Sequence, residues 1–127
     1  MITLHKIDLH RRLCIKKDLN ELSSWHNVLE SLSIELDHLS AIEKQLIKIN
    51  SVSNEILALR RKNVMLMANL CKYDQELKRE FEYGKTEYDI NRLKVHEQKR
   101  ESYIVLVEHF NTFKNQYYTL LKRFKRN

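Results

Sequence analysis

From Leu22 onward, apolar residues return in alternating steps of three and four: Leu22, Leu29 and Leu36 fall at heptad position a, and Trp25, Leu32, Leu39 and Leu46 at d. Side chains spaced this way share one face of an α-helix, so the run predicts a helix that packs along a seam against others. Asp18 and Glu21, three residues apart just ahead of the seam, have capping-box spacing and predict a start near Asp18. Beyond Leu39 position a turns polar at Glu43 and Asn50, and the stripe drifts onto Ile42 and Ile49, as on a straight helix of 3.6 residues per turn. Ser40 and Glu43 repeat the capping spacing and mark a second point where the helix can restart.

The segment INSVSNE, residues 49–55, is the best break, because Ser and Asn side chains compete for local backbone groups. Ser53 or Asn54 is expected to cap a second helix, with Ile56, Asn63, Leu70 and Leu77 at a and Leu59, Leu66 and Tyr73 at d. Asn63 at a core position is the kind of polar residue that fixes register at some cost in stability. Gly84 is expected to end this helix in a left-handed conformation, with Thr86 and Asp89 capping a third. A helix continuing through Gly84 is the rival reading. The third helix is weakly patterned through Tyr88, Leu93 and Val95. From Tyr103 it is strongly patterned, with Tyr103, Phe110, Tyr117 and Phe124 at a and Leu106, Phe113 and Leu120 at d. The expectation is an all-α fold, an elongated antiparallel three-helix bundle or coiled coil with helices over residues 18–50, 54–84 and 86–125 in one domain, 18–127. Residues 1–17 lack a clean period and are read as a basic arm or a short extra helix.

Composition agrees with this. The 127 residues include no Pro and one Gly, which leaves little material for the tight turns of sheet folds. No apolar run approaches the ~20 residues that cross a bilayer, and the first residues make a poor signal peptide, so a cytoplasmic protein is expected. Cys14 and Cys71 form no CxxC pair and are read as buried or half-buried reduced thiols.

Charge adds one functional idea. The net +6 is uneven, with −4 over residues 18–50 and +5 over 85–127. Arg11, Arg12, Lys16 and Lys17 near the start, and Lys122, Arg123, Lys125 and Arg126 at the end, are candidate contacts to an anionic partner, nucleic acid above all. Against this, cations in a last turn also oppose the helix macrodipole, and aromatics at heptad spacing belong to the core rather than to base stacking. Membrane-surface binding by the C-terminal amphipathic segment ranks lower, because its apolar face is already used by the bundle.

The order of Trp25, the segment ELDHLSAIEKQL and the late segment HEQKRESYIVLVEHFNTFKNQYYTLLKRF resembles small bacterial three-helix proteins to which no activity is assigned. His96 with Arg100, and Phe110, Phe113 and Tyr117, are the matching positions. The resemblance implies an architecture and no chemistry. One pattern within it suggests a metal: Glu35-x-x-His38 is half of a di-metal carboxylate motif. The second half is missing, and His38 falls on the solvent side of the seam, so no metal or other cofactor is expected. No nucleophile–base pair or glycine-rich phosphate loop is present either. The reading is a non-enzymatic helical module that binds protein, as an adaptor, structural element or homodimer, with nucleic-acid binding as the alternative and a metal-binding helical bundle as a distant third.

Overall fold

Three long helices account for nearly all of residues 3–124, the part of the chain that the computed structural model describes. α1 spans Leu4–Ile42, α2 spans Asn50–Tyr83 and α3 spans Ile90–Leu121, with a π-helical turn, Glu43–Ile47, between the first two. No strand occurs among the described residues. The 39 residues of α1 give the bundle a length of about 58 Å at 1.5 Å per residue.

The seam is longer than its apolar residues suggest. Arg11, Ile15, Asp18, Leu22, Trp25, Leu29, Leu32, Leu36 and Leu39 are all buried, in unbroken steps of four and three. Over the described residues 3–17 the expected basic arm or short extra helix is therefore the opening of α1, with Thr3 as its cap; the Thr3 hydroxyl accepts from the Lys6 N–H at 3.2 Å. Asp18 caps nothing. It sits on the seam as a charged residue in a core position. On α2 the buried positions are Ile56, Leu59, Asn63, Leu70, Tyr73 and Leu77; on α3 they are His96, Leu106, Phe110, Phe113 and Tyr117. The Asn63 amide donates to the Leu29 carbonyl at 3.2 Å, which ties α2 to α1 at a fixed height.

The break after α1 comes earlier than INSVSNE and has a different cause. The backbone widens at residue 43, where the Lys48 N–H donates to the Glu43 carbonyl at 2.7 Å. Lys48 then turns left-handed, at φ 55° and ψ 43°, and Ile49 is extended before α2 begins at Asn50. Neither Ser53 nor Asn54 is the cap; both lie inside α2. The widened turn shifts the register by one residue, so Ile47 is buried and Leu46, expected at d, is 47 % exposed.

Gly84 does end α2, though not in a left-handed conformation: its φ is −71° and its ψ 152°. Glycine is favoured there by space. A Cβ would stand 2.5 Å from the Glu80 carbonyl oxygen. Asp89, not Thr86, caps α3, accepting from the Arg92 N–H at 3.1 Å.

The register shift predicts an inverted pair of alanine scans. Ile47→Ala should lower the urea-unfolding free energy by about 2–4 kcal/mol, and Leu46→Ala by less than about 0.5 kcal/mol. A helix continuing straight through residue 46 would give the reverse order.

Candidate functional site

The main concentration of chemistry lies where the first half of α3 crosses α1 and α2. His96 is 1 % exposed. Its Nε2 lies 2.7 Å from Glu21 Oε1 and 3.4 Å from Asp18 Oδ1, both on α1. Its Nδ1 lies 2.7 Å from the Tyr73 hydroxyl on α2. Trp25 stacks on the ring at 5.3 Å between centroids, and on Tyr103 at the same distance, so one indole is held between residues one heptad apart on α3. The Tyr88 hydroxyl donates to the other Asp18 oxygen. Arg100 forks onto Glu21, its Nε donating to Oε2 at 2.8 Å and its Nη2 to Oε1 at 2.7 Å.

Electrostatics follow from these contacts. The forked bond from Arg100 holds the Glu21 carboxyl at about 2, against an ordinary 4.5; burial opposes this shift and the His96 bond adds to it. Burial pushes the Tyr73 and Tyr88 hydroxyls well above the usual tyrosine range. Both tyrosines therefore stay protonated. An ionised Glu21 fixes a proton on His96 Nε2. Nδ1 is then left to accept from the Tyr73 hydroxyl, so both ring nitrogens are bonded.

Asp18, Glu21 and His96 also offer ligand atoms within 4.8 Å of one another, the one such grouping found among the described residues. The geometry favours an ion-pair network over a metal centre. The three groups already bond one another, and the Arg100 guanidinium occupies the carboxylate that an ion would need. Beside the cluster is an open cleft of about 310 Å³, walled by Tyr73, Leu77, Tyr88 and Val95. On its rim Arg92 pairs with Glu80, and Glu76 is exposed.

The motif singled out from sequence does not assemble. Glu35 pairs with Lys114 at 3.1 Å, and His38 is exposed. The candidate cations separate into two groups. Arg11 is buried, 1 % exposed, because its guanidinium donates to the Glu80 carbonyl near the end of α2 and to Asp8 at 2.8 Å. It therefore offers nothing to a partner. Arg12 pairs with Asp8 at 3.2 Å and lies over the Phe81 ring; Lys16 and Lys17 are exposed. Lys122 and Arg123 are exposed at the opposite end of the bundle, with Lys125 and Arg126 outside the described residues. Cys14 is half-buried, but Cys71, expected to be buried or half-buried, is exposed. Sequence reasoning missed Asp18 and Glu21, which looked like a cap, and left His96 without partners. The signal was an a/d pattern extended through charged residues.

Comparison with protein-family models, curated proteins and solved structures finds no match.

Two outcomes follow. His96→Phe keeps a ring against Trp25 but leaves the Tyr73 hydroxyl without its partner and takes one from Glu21; equilibrium unfolding should show a loss of about 3 kcal/mol, with a changed Trp25 emission in the native state. Because the Glu21 pKa is lower folded than unfolded, its contribution is complete above about pH 4.5 and is lost as pH falls through about 2. Stability should therefore drop across that acid window, and Glu21→Gln should flatten the drop.

Proposed function

We propose that the protein is a non-enzymatic helical interaction module that pairs with a second copy of itself through the α2–α3 face. The observation behind this reading is a groove of about 360 Å³ between those helices, floored by Leu66 and Leu106 and edged by Met65 and Val105. Met65 is 72 % exposed and Val105 54 %. Burying such side chains is favourable at roughly 25 cal/mol per Å².

Charge complementarity argues for a second copy as the occupant. The α2 edge carries exposed Arg61 and Lys62, and the α3 edge carries exposed Glu101 and Glu108. Glu101, Val105 and Glu108 fall on one helical face, by spacings of four and three. The Lys62–His109 contact, at 3.1 Å, sets both edges at the same height along the bundle. A two-fold axis parallel to the helices then lays α2 of one copy against α3 of the other, basic edge to acidic edge, with Met65 on Val105 of the other copy. Such an interface is closed and satisfies both copies equally.

Sedimentation equilibrium tests this. The expected mass is twice the 15.4 kDa of the chain at micromolar concentration. Val105→Glu should weaken association about tenfold or more, the scale of losing one central apolar contact. Arg61→Glu should also weaken it, and adding Glu108→Arg, at the same height along the bundle, should restore it. A monomer at ~100 μM, above the typical range of specific association, would refute the reading.

A further inference from the structure

We propose that the end of the bundle at which α1 turns into α2 and α3 finishes is a docking surface for an anionic lipid surface. The last turns of α3 lie beside the end of α1: the Tyr117 hydroxyl donates to the Leu39 carbonyl at 2.7 Å, and Leu120, Leu121 and Phe124 pack on the same core as Ile47 and Ile49. This brings Lys44 and Lys48 to the same end as Lys122 and Arg123, and all four are exposed. Among the described residues none of the four is paired with a carboxylate.

The end carries charge of one sign. Over residues 38–54 and 115–124 the one carboxylate is Glu43, which is buried. The next acids on α1 and α2 are engaged, Glu35 with Lys114, Asp37 with Arg60 at 2.7 Å, and Glu55 facing His109 at 3.8 Å, and the next on α3, Glu108, lies about 10 Å back along the helix from residue 115. Within this cationic tip the π-helical turn holds Leu46 outward, between Lys44 and Lys48, and Lys48 itself takes a left-handed backbone that a non-glycine residue seldom adopts. Strained backbone of this kind persists where surrounding structure or function maintains it.

Cations around an exposed leucine suit a lipid interface. Lysine and arginine meet headgroup phosphates, while the leucine enters the boundary beneath them. A nucleic acid would use the cations but not Leu46, and the blunt tip presents no helix or strand edge to a groove. The tip is separate from the α2–α3 groove, so its test is independent of self-association.

Co-sedimentation of the full chain with vesicles decides the matter. Vesicles with about a third phosphatidylserine in phosphatidylcholine should bind the protein, and pure phosphatidylcholine should not. Leu46→Ser, at an exposed position, should retain the helical circular dichroism and weaken binding at least fivefold. Lys44→Gln combined with Lys122→Gln should weaken it about 25-fold, from about fivefold per cation. Absence of binding, equal binding to neutral vesicles, or no effect of Leu46→Ser would overturn the proposal. Displacement from the vesicles by a DNA oligonucleotide at equal phosphate concentration would overturn it too, and would assign the tip to nucleic acid.

Discussion

A polar group taken out of water must find its partners inside the protein, and in this bundle four buried positions carry a charged or imidazole side chain: Arg11, Asp18, Glu43 and His96. Three of them, Arg11, Asp18 and His96, are tied to another helix. Arg11 reaches the Glu80 carbonyl near the end of α2, where the backbone dipole favours a cation. Asp18 receives Tyr88, and His96 bridges Glu21 and Tyr73. A leucine seam packs almost as well after sliding by one heptad. Arg11, Asp18 and His96 do not, since a slide strands buried groups at a cost of several kcal/mol. The same contacts select which helix ends meet.

The bundle is consequently two different structures along its length. From Tyr103 to Tyr117, α3 is held by aromatic and leucine packing, with Phe113 against Tyr117 and Tyr117 bonded to the Leu39 carbonyl. From Ile90 to Arg100 its buried residue is His96, and attachment runs through polar contacts: Arg92 to Glu80, Lys99 to Asn69 and Arg100 to Glu21. The two proposed surfaces lie away from this clasp. One is a groove where α2 and α3 leave Met65 and Val105 uncovered, and the other is the cationic tip at the far end.

Much of this was legible in the amino-acid pattern. The helices, the seam from Leu22 to Leu39, the break at Gly84 and the buried Asn63 follow from apolar spacing and from the scarcity of turn residues. What failed shares a physical cause: short local signals are ambiguous once a tertiary partner exists. Asp18 and Glu21 have the spacing of a cap, and only the third helix reveals them as partners of His96 and Arg100. Arg11 looks like a solvated cation until the end of α2 meets it. The π-helical turn is invisible in residue types, since Leu46 and Ile47 are equally apolar. The clasp was hidden because a heptad search looks for apolar residues, and here the pattern continues through charged ones.

The central claim is that polar contacts around His96 hold the first half of α3 as firmly as aromatic packing holds the second. Residue-resolved native-state hydrogen exchange measures this directly. The account predicts that amides over residues 94–102 exchange with the same opening free energy as those over 106–117, that of global unfolding. A separate low-energy opening of residues 94–102, with the aromatic half and α1 still protected, would contradict it.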